Sequence, residues 1–220
     1  MRKYILVLLA VACFGVTGCV SPQPRVVKLN DWVVVENSDR FSDEKSTMVT
    51  ISERPSSSLL VTSAFRLYPF VEKRGENITV GIRTGGTYKI PTGTVQIRVD
   101  NNSAWTIDTS ETPLYLVPAQ QTYAPPPKPE STDPKQQEQI RQAHEHSQQM
   151  TQNIHKISSP FTAATGDKAK TIIKEMLSGS EMIYRTVGVN QAASTEGSVV
   201  FNDSFREAMD KAGITLDTLK

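Results

Sequence analysis

Few side chains in this sequence could do chemistry. Its thiols are Cys13 and Cys19, and its imidazoles are His144, His146 and His155. The three histidines fall in one stretch, "KQQEQIRQAHEHSQQMTQNIHKI". On a helix His144 and His146 point to nearly opposite sides, and His144 and His155 share a face but sit about 16 Å apart along the axis. They cannot grip one metal ion, and we read them as solvated. A Ser-His-Asp triad needs a histidine held rigidly by a core, and the strand-rich part of the chain has none. No glycine loop precedes a helix at phosphate-binding spacing; Gly85-Gly86 reads as a turn. Asp100 and Asp108 are the carboxylates that glycosidase chemistry would need, but beside a hairpin we read them as solvent-facing turn residues. Arg185, in "MIYRTVGV", falls in phase with Ile183, Val187 and Val189, which sets a guanidinium among aliphatics. Either its head snorkels to water, or it pairs with an acid and fixes a register or a ligand. No enzymatic activity, metal or cofactor is expected, nor a small-molecule substrate.

The chemistry that remains is at the N-terminus. Arg2 and Lys3 form a basic head, and Tyr4 to Val16 is an apolar run of the length of a signal-peptide core. A spanning helix needs roughly 20 apolar residues, so this run is too short to stay as an anchor. Val16-Thr17-Gly18-Cys19 follows, and it resembles the lipobox of bacterial lipoproteins. The resemblance implies that residues 1–18 are a signal peptide, cleaved between Gly18 and Cys19. It also implies acyl chains on the sulfur and amino group of Cys19. At about 0.8 kcal/mol per buried methylene, two or three such chains hold a protein on a membrane for its lifetime. The next residue is Val20, not the Asp that resembles an inner-membrane retention signal. The implied address is the outer membrane, with the domain facing the periplasm.

On this reading the mature chain has no thiol left for a disulfide or a metal, and its fold rests on burial. Losing Arg2 and Lys3 takes the formal charge from +1 to −1, too balanced for a nucleic-acid partner. Residues 19–30 read as a lipidated tether, whose extended reach of about 35 Å would lift a domain clear of the headgroups.

Residues 31–220 read as one β-rich domain. "DWVVVEN", "STMVTISE" and "SSLLVTSAF" are β-branched runs bounded by Ser, Asp, Asn and Pro. "NITVGIRTGG" and "GTVQIRVDNN" alternate with a period of two, which predicts half-buried antiparallel strands. Trp105, in "SAWTIDTS", is expected in the core, and Pro69 is expected to bend "FRLYPFVEKRG". Residues 118–160 read as an insert, Pro- and Gln-rich at first, with "PPPKP" favouring polyproline. Asp133 and Pro134 then predict a helix start. That helix carries Ile140, Ala143, Met150, Ile154 and Ile157 as a stripe narrower than a buried face, so it should lie on the surface or await a partner. "GDKAKTIIKEMLSGS" predicts a helix closed by Gly179. "EMIYRTVGV" and "GSVVFND" predict strands. "DSFREAMDKAGI" predicts a last helix with Ser204 and Glu207 as a capping box. The fold class is α+β: an antiparallel β-sandwich or twisted sheet, two short packed helices and an inserted surface helix.

The order of "WVVVENSDRFSDEKSTMVTI", an "IRVD" strand, Trp105, "EMLSGSEMIYR" and "FREAMDKAGI" resembles the envelope domains of the invasion-associated locus B type and related accessory proteins of type VI secretion clusters. The resemblance spans residues 31–117 and 166–214. It implies a small non-enzymatic β-sandwich with two helices, devoted to envelope contacts; those domains commonly carry paired cysteines, which this sequence lacks. The expected function is that of a lipid-anchored binding or accessory protein of a secretion, conjugation or pilus apparatus, with an envelope protein as partner. The alternatives are a prophage or plasmid lipoprotein that blocks a receptor, and an envelope glycan hydrolase. The candidate binding surface comprises Tyr68, Phe70 and Arg185 together with Ile140, Met150 and Ile154 of the insert.

Overall fold

A computed structural model describes residues 27–29, 32–38, 44–52, 66–86, 90–118, 133–188 and 193–220. Gly18, Cys19, the "SSLLVTSAF" stretch and the polyproline segment lie outside the described residues. In chain order the strands are β1 (Val27–Leu29), β2 (Trp32–Ser38), β3 (Lys45–Ile51), β4 (Leu67–Arg74), β5 (Asn77–Thr84), β6 (Val95–Val99) and β7 (Trp105–Ile107). Two 3-10 turns, Thr109–Glu111 and Leu114–Leu116, precede helix α1 (Pro134–Ile157). Then come β8 (Phe161–Thr165), α2 (Gly166–Ser178), β9 (Glu181–Val187), β10 (Ala193–Val200) and α3 (Asp203–Lys211).

The fold is α+β, as the residue patterns predict. One five-stranded sheet has the order β1-β10-β9-β6-β7, the other β2-β3-β4-β5-β8. Among the described residues only β1 and β10 pair in parallel; every other pairing is antiparallel. β1 itself corrects the sequence reading, which gave its residues to the tether. In β6 the pleat sends Val95, Ile97 and Val99 inward and Gln96 and Arg98 outward.

One core lies between the sheets. The first sheet gives it Val95, Ile97, Val99, Met182 and Val199; the second gives Val49, Ile51, Val71, Val80 and Ile82. Each such side chain contributes about 1.5–3 kcal/mol when fully buried. α2 adds Ile172, Ile173 and Met176 from one helical face. α3 adds Phe205, Ala208 and Met209. Its N-cap is Asn202, whose side chain accepts from the Phe205 N–H, so the predicted capping box is not what starts this helix. Gly213 ends it at φ +64. Gly179 stops α2 for another reason than a left-handed turn. Its φ is −92, and a Cβ there would lie 2.5 Å from Val99 Cγ1.

Two ties cross the core. The Tyr184 hydroxyl, on β9, donates to the Leu67 carbonyl of the other sheet at 3.1 Å. Its ring lies over Gly197, where a Cβ would come within 2.5 Å of the ring carbons. Trp32 packs 4.7 Å from Phe205, and its indole N–H donates to the Val200 carbonyl at 3.0 Å. Trp32 is 5% exposed. Trp105, expected in the core, is half-buried at the rim, where its indole N–H faces both carboxylate oxygens of Glu175 at 3.2 Å.

The second sheet is covered on its outer face too. Leu116, beyond the first 3-10 turn, packs with Met48, Phe70 and Ala163 in a separate apolar cluster. Asp108 caps the turn that begins this cover, and the hydrogen bond from the Ser110 backbone holds its carboxyl below the ordinary range.

α1 forms where Asp133 and Pro134 predict it, with the Asp133 side chain accepting from the Lys135 N–H, and it buries none of its residues. Its last turn is moored by Lys156, whose ammonium donates to the Ser110 carbonyl at 2.6 Å. The insert ends earlier than residue 160. Ser159 and Pro160 are buried, and their carbonyls accept from Thr92 and Thr84 N–H groups at 3.0 and 2.9 Å. The next residues form β8, a strand absent from the sequence reading, on the edge of β5. No described helix is long and apolar enough to cross a membrane.

The two tryptophans should separate on truncation. Trp32→Ala is expected to cost about 3–5 kcal/mol and Trp105→Ala clearly less, read from the midpoints of denaturant unfolding. Burial raises the Tyr184 phenol well above its ordinary value. Its stabilising contribution is therefore complete below pH ~10 and is lost as pH climbs past that value. Tyr184→Phe should cost about 1 kcal/mol at neutral pH, and the deficit should narrow above pH ~10 in the same unfolding assay.

Candidate functional site: a groove around Arg185

With Met182 and Tyr184 turned into the core, the pleat of β9 leaves Ile183 and Arg185 on the outside of the first sheet. β9 lies between β6 and β10, so Gln96, Arg185 and Glu196 form one rung across three strands. The Arg185 Nε–H donates to Gln96 Oε1 at 2.9 Å, and its Nη1 lies 3.9 Å from Glu196 Oε1. Gln96 in turn donates to Thr106 Oγ1 on β7 at 3.1 Å. The polar ladder therefore runs over four neighbouring strands. One register step along, Arg98 stands opposite Ile183, whose side chain is 41% exposed.

Gln96, Arg98, Ala104, Ile183, Arg185 and Glu196 wall an open groove of about 410 Å³, within the range of small ligand sites. Its floor is the backbone side of Ile97, Tyr184 and Gly197. The ion pair to Glu196 is long and half-exposed and adds little stability, but with Gln96 it holds the guanidinium in one orientation. Two cations flank an exposed isoleucine, a setting that suits an anionic group next to an apolar one. A carboxylate or phosphate can accept two parallel N–H bonds from one guanidinium.

Of the predicted surface residues, only Arg185 belongs to this groove. Tyr68 and Phe70 are corrections: they are 1% and 0% exposed. Pro69 makes no bend; it stands in β4 opposite Ile82, its carbonyl accepting from Thr50 Oγ1 at 2.8 Å. The outer cover then buries this strand on both faces, and Phe70 meets Phe161 edge-on at 5.6 Å. Met150 and Ile154 of α1 are 54% and 58% exposed and Ile140 is half-exposed, but none of the three lines the groove. Asp100 and Asp108 stand at opposite ends of the β6–β7 hairpin. Asp100, at φ 47, accepts from the Ser180 and Glu181 N–H groups and ties the hairpin to β9. No group of side chains able to hold a metal occurs among the described residues.

Sequence reasoning missed Gln96 and Arg98 beside Arg185, and Glu196 as its ionic partner. The alternation in "VQIRV" marked the first two as outward, but the pairing of β6 with β9 carries no local signal. A second polar cluster was missed as well. Glu72 is 2% exposed under the 3-10 turns, with Arg74 Nη2 at 3.5 Å. That guanidinium lies 4.6 Å over the Tyr115 ring, whose hydroxyl meets Thr79 Oγ1 at 2.5 Å. This cluster pins the outer cover onto the sheet. In comparisons with family models, with curated proteins and with solved structures, nothing matches this chain.

Proposed function

We propose that the protein is a lipid-anchored binding or accessory component of the bacterial envelope, an adaptor in a secretion, conjugation or pilus apparatus. It is held to the outer membrane through Cys19, with its domain in the periplasm. The observation that carries this reading is α1: 24 residues of ordered helix that bury nothing in the core. A helix that packs no face onto a core adds little to the stability of its own fold and leaves its apolar stripe free for contact. The groove around Arg185 supports the same reading, since it presents oriented cations beside an apolar side chain on the face away from the core. The lipobox-like Val16-Thr17-Gly18-Cys19 and the likeness to envelope domains of the invasion-associated locus B type supply the address and the class of partner.

Anchoring and contact are tested separately. Cys19→Ala should abolish incorporation of radiolabelled palmitate while the domain keeps the melting temperature of the parent; label in the variant would refute the anchor. For contact, a photo-crosslinking amino acid at Ile183 should capture an envelope protein in intact cells. Arg98→Glu should remove that adduct and leave melting unchanged, since Arg98 is exposed. An undiminished adduct would take the groove out of the contact surface.

A further inference from the structure

The apolar residues of α1 have a stricter spacing than a surface stripe needs. Ile140, Ala143, Met150, Ile154 and Ile157, with the small polar Ser147 filling the one gap, follow one another at alternating steps of three and four residues. That is the 3.5-residue repeat of a coiled-coil seam, not the 3.6 of a helix lying on a globular core. The seam is open: Met150, Ile154 and Ile157 are 54%, 58% and 58% exposed. At 100° per residue Lys156 points away from it, so the bond that moors α1 to Ser110 leaves the seam facing out.

The charges are arranged to match. Arg141 pairs within the helix with Glu138 at 2.7 Å and Glu145 at 2.9 Å, and all three lie on the side opposite the seam. The positions flanking the seam are Gln137, Gln139, His144, His146, Thr151 and Asn153. None is Asp, Glu, Lys or Arg, so a second copy brings no carboxylate, ammonium or guanidinium against its like along the edge.

We infer that α1 pairs with α1 of a second copy as an antiparallel two-stranded coiled coil about a two-fold axis. Direction follows from size. In the antiparallel register Ile140 meets Ile157 of the other copy, Ala143 meets Ile154, and Ser147 meets Met150, so each small side chain faces a large one. A parallel pair would set Ala143 on Ala143 and Ser147 on Ser147, leaving adjacent voids in the seam. The antiparallel pair also puts the two domains at opposite ends of a rod about 36 Å long, where they do not collide. A two-fold contact between identical patches closes on itself and stops at two copies. Six layers bury on the order of 1,000 Å², the lower limit of a specific interface, so the pair is a weak one. This inference draws on the same exposed α1 that carries the proposed function and names a second copy as the occupant of its seam; the lipid anchor and the groove are tested apart from it.

The test uses the full chain, purified in detergent at roughly 10⁻⁴ M, where an interface of this size associates. A benzophenone amino acid replaces Ile140 in chains labelled with heavy nitrogen, mixed with unlabelled chains. Irradiation should give a dimer adduct of mixed isotope content that joins position 140 to the segment around Ile157. The two positions of one helix are about 25 Å apart, so the adduct cannot form within a copy. Ile154→Glu should cut its yield at least tenfold with no change in melting temperature. Glu138→Gln, on the far side, should leave the yield as it is. A link from 140 to 140, no dimer adduct, or an adduct insensitive to Ile154→Glu would each overturn the antiparallel pair.

Discussion

The architecture depends on a buried phenol. Tyr184 stands in the core with its hydroxyl out of reach of water, and a polar group so placed must find a partner or cost the fold several times what the bond contributes. It finds one in the Leu67 carbonyl of the opposing sheet, which fixes how far apart the sheets stand at that point. The ring needs room beside β10, and Gly197 leaves it. Because side chains alternate along a strand, turning Tyr184 inward turns Ile183 and Arg185 outward. The bond that sets the spacing of the layers thus also decides what the first sheet shows to its surroundings.

What could be read from the sequence was local. β6 is visible because one face is buried and the other wet. β5 shows the same period of two in its residue types, but the expectation that it is half-buried fails, since Thr79 and Gly81 are covered as fully as Val80 and Ile82. α2 and α3 are visible because Ile172, Ile173 and Met176, and Phe205, Ala208 and Met209, repeat at helical spacing. The misreadings share a physical origin in layers that the sequence does not display. "LYPFV" has no alternation because its strand is covered on both sides, and Pro69 then resembled a bend. "FTAAT" is short and rich in alanine, because β8 lies close against Gly81, and it gave no strand signal. At α3 the residue types point to Ser204 as the cap, whereas its hydroxyl accepts from the Trp32 N–H and Asn202 does the capping.

The groove was legible only in part, for the same reason. Arg185 stood out as a guanidinium in phase with aliphatics, and Gln96 and Arg98 as the polar side of an alternating strand. Their meeting depends on a pairing between strands some 85 positions apart in the chain. Asp100 secures that pairing. It accepts a left-handed backbone that few residues other than glycine adopt, and in exchange its carboxylate takes the first N–H groups of β9.

The strand lengths at the margins of the sheets have a consequence at high concentration. Among the described residues the outermost strands of the first sheet, β1 and β7, have three residues each, and β8, at one margin of the second, has five. An unpaired edge recruits a foreign strand in proportion to the length of ladder it offers, and three residues offer almost none. β2 is longer, but α3 packs against it and Glu36 stands exposed on it. The described edges therefore offer little ladder for the sheet of another copy to join. Self-recognition is left to a helix, whose own backbone bonds are already satisfied and whose contacts are reversible.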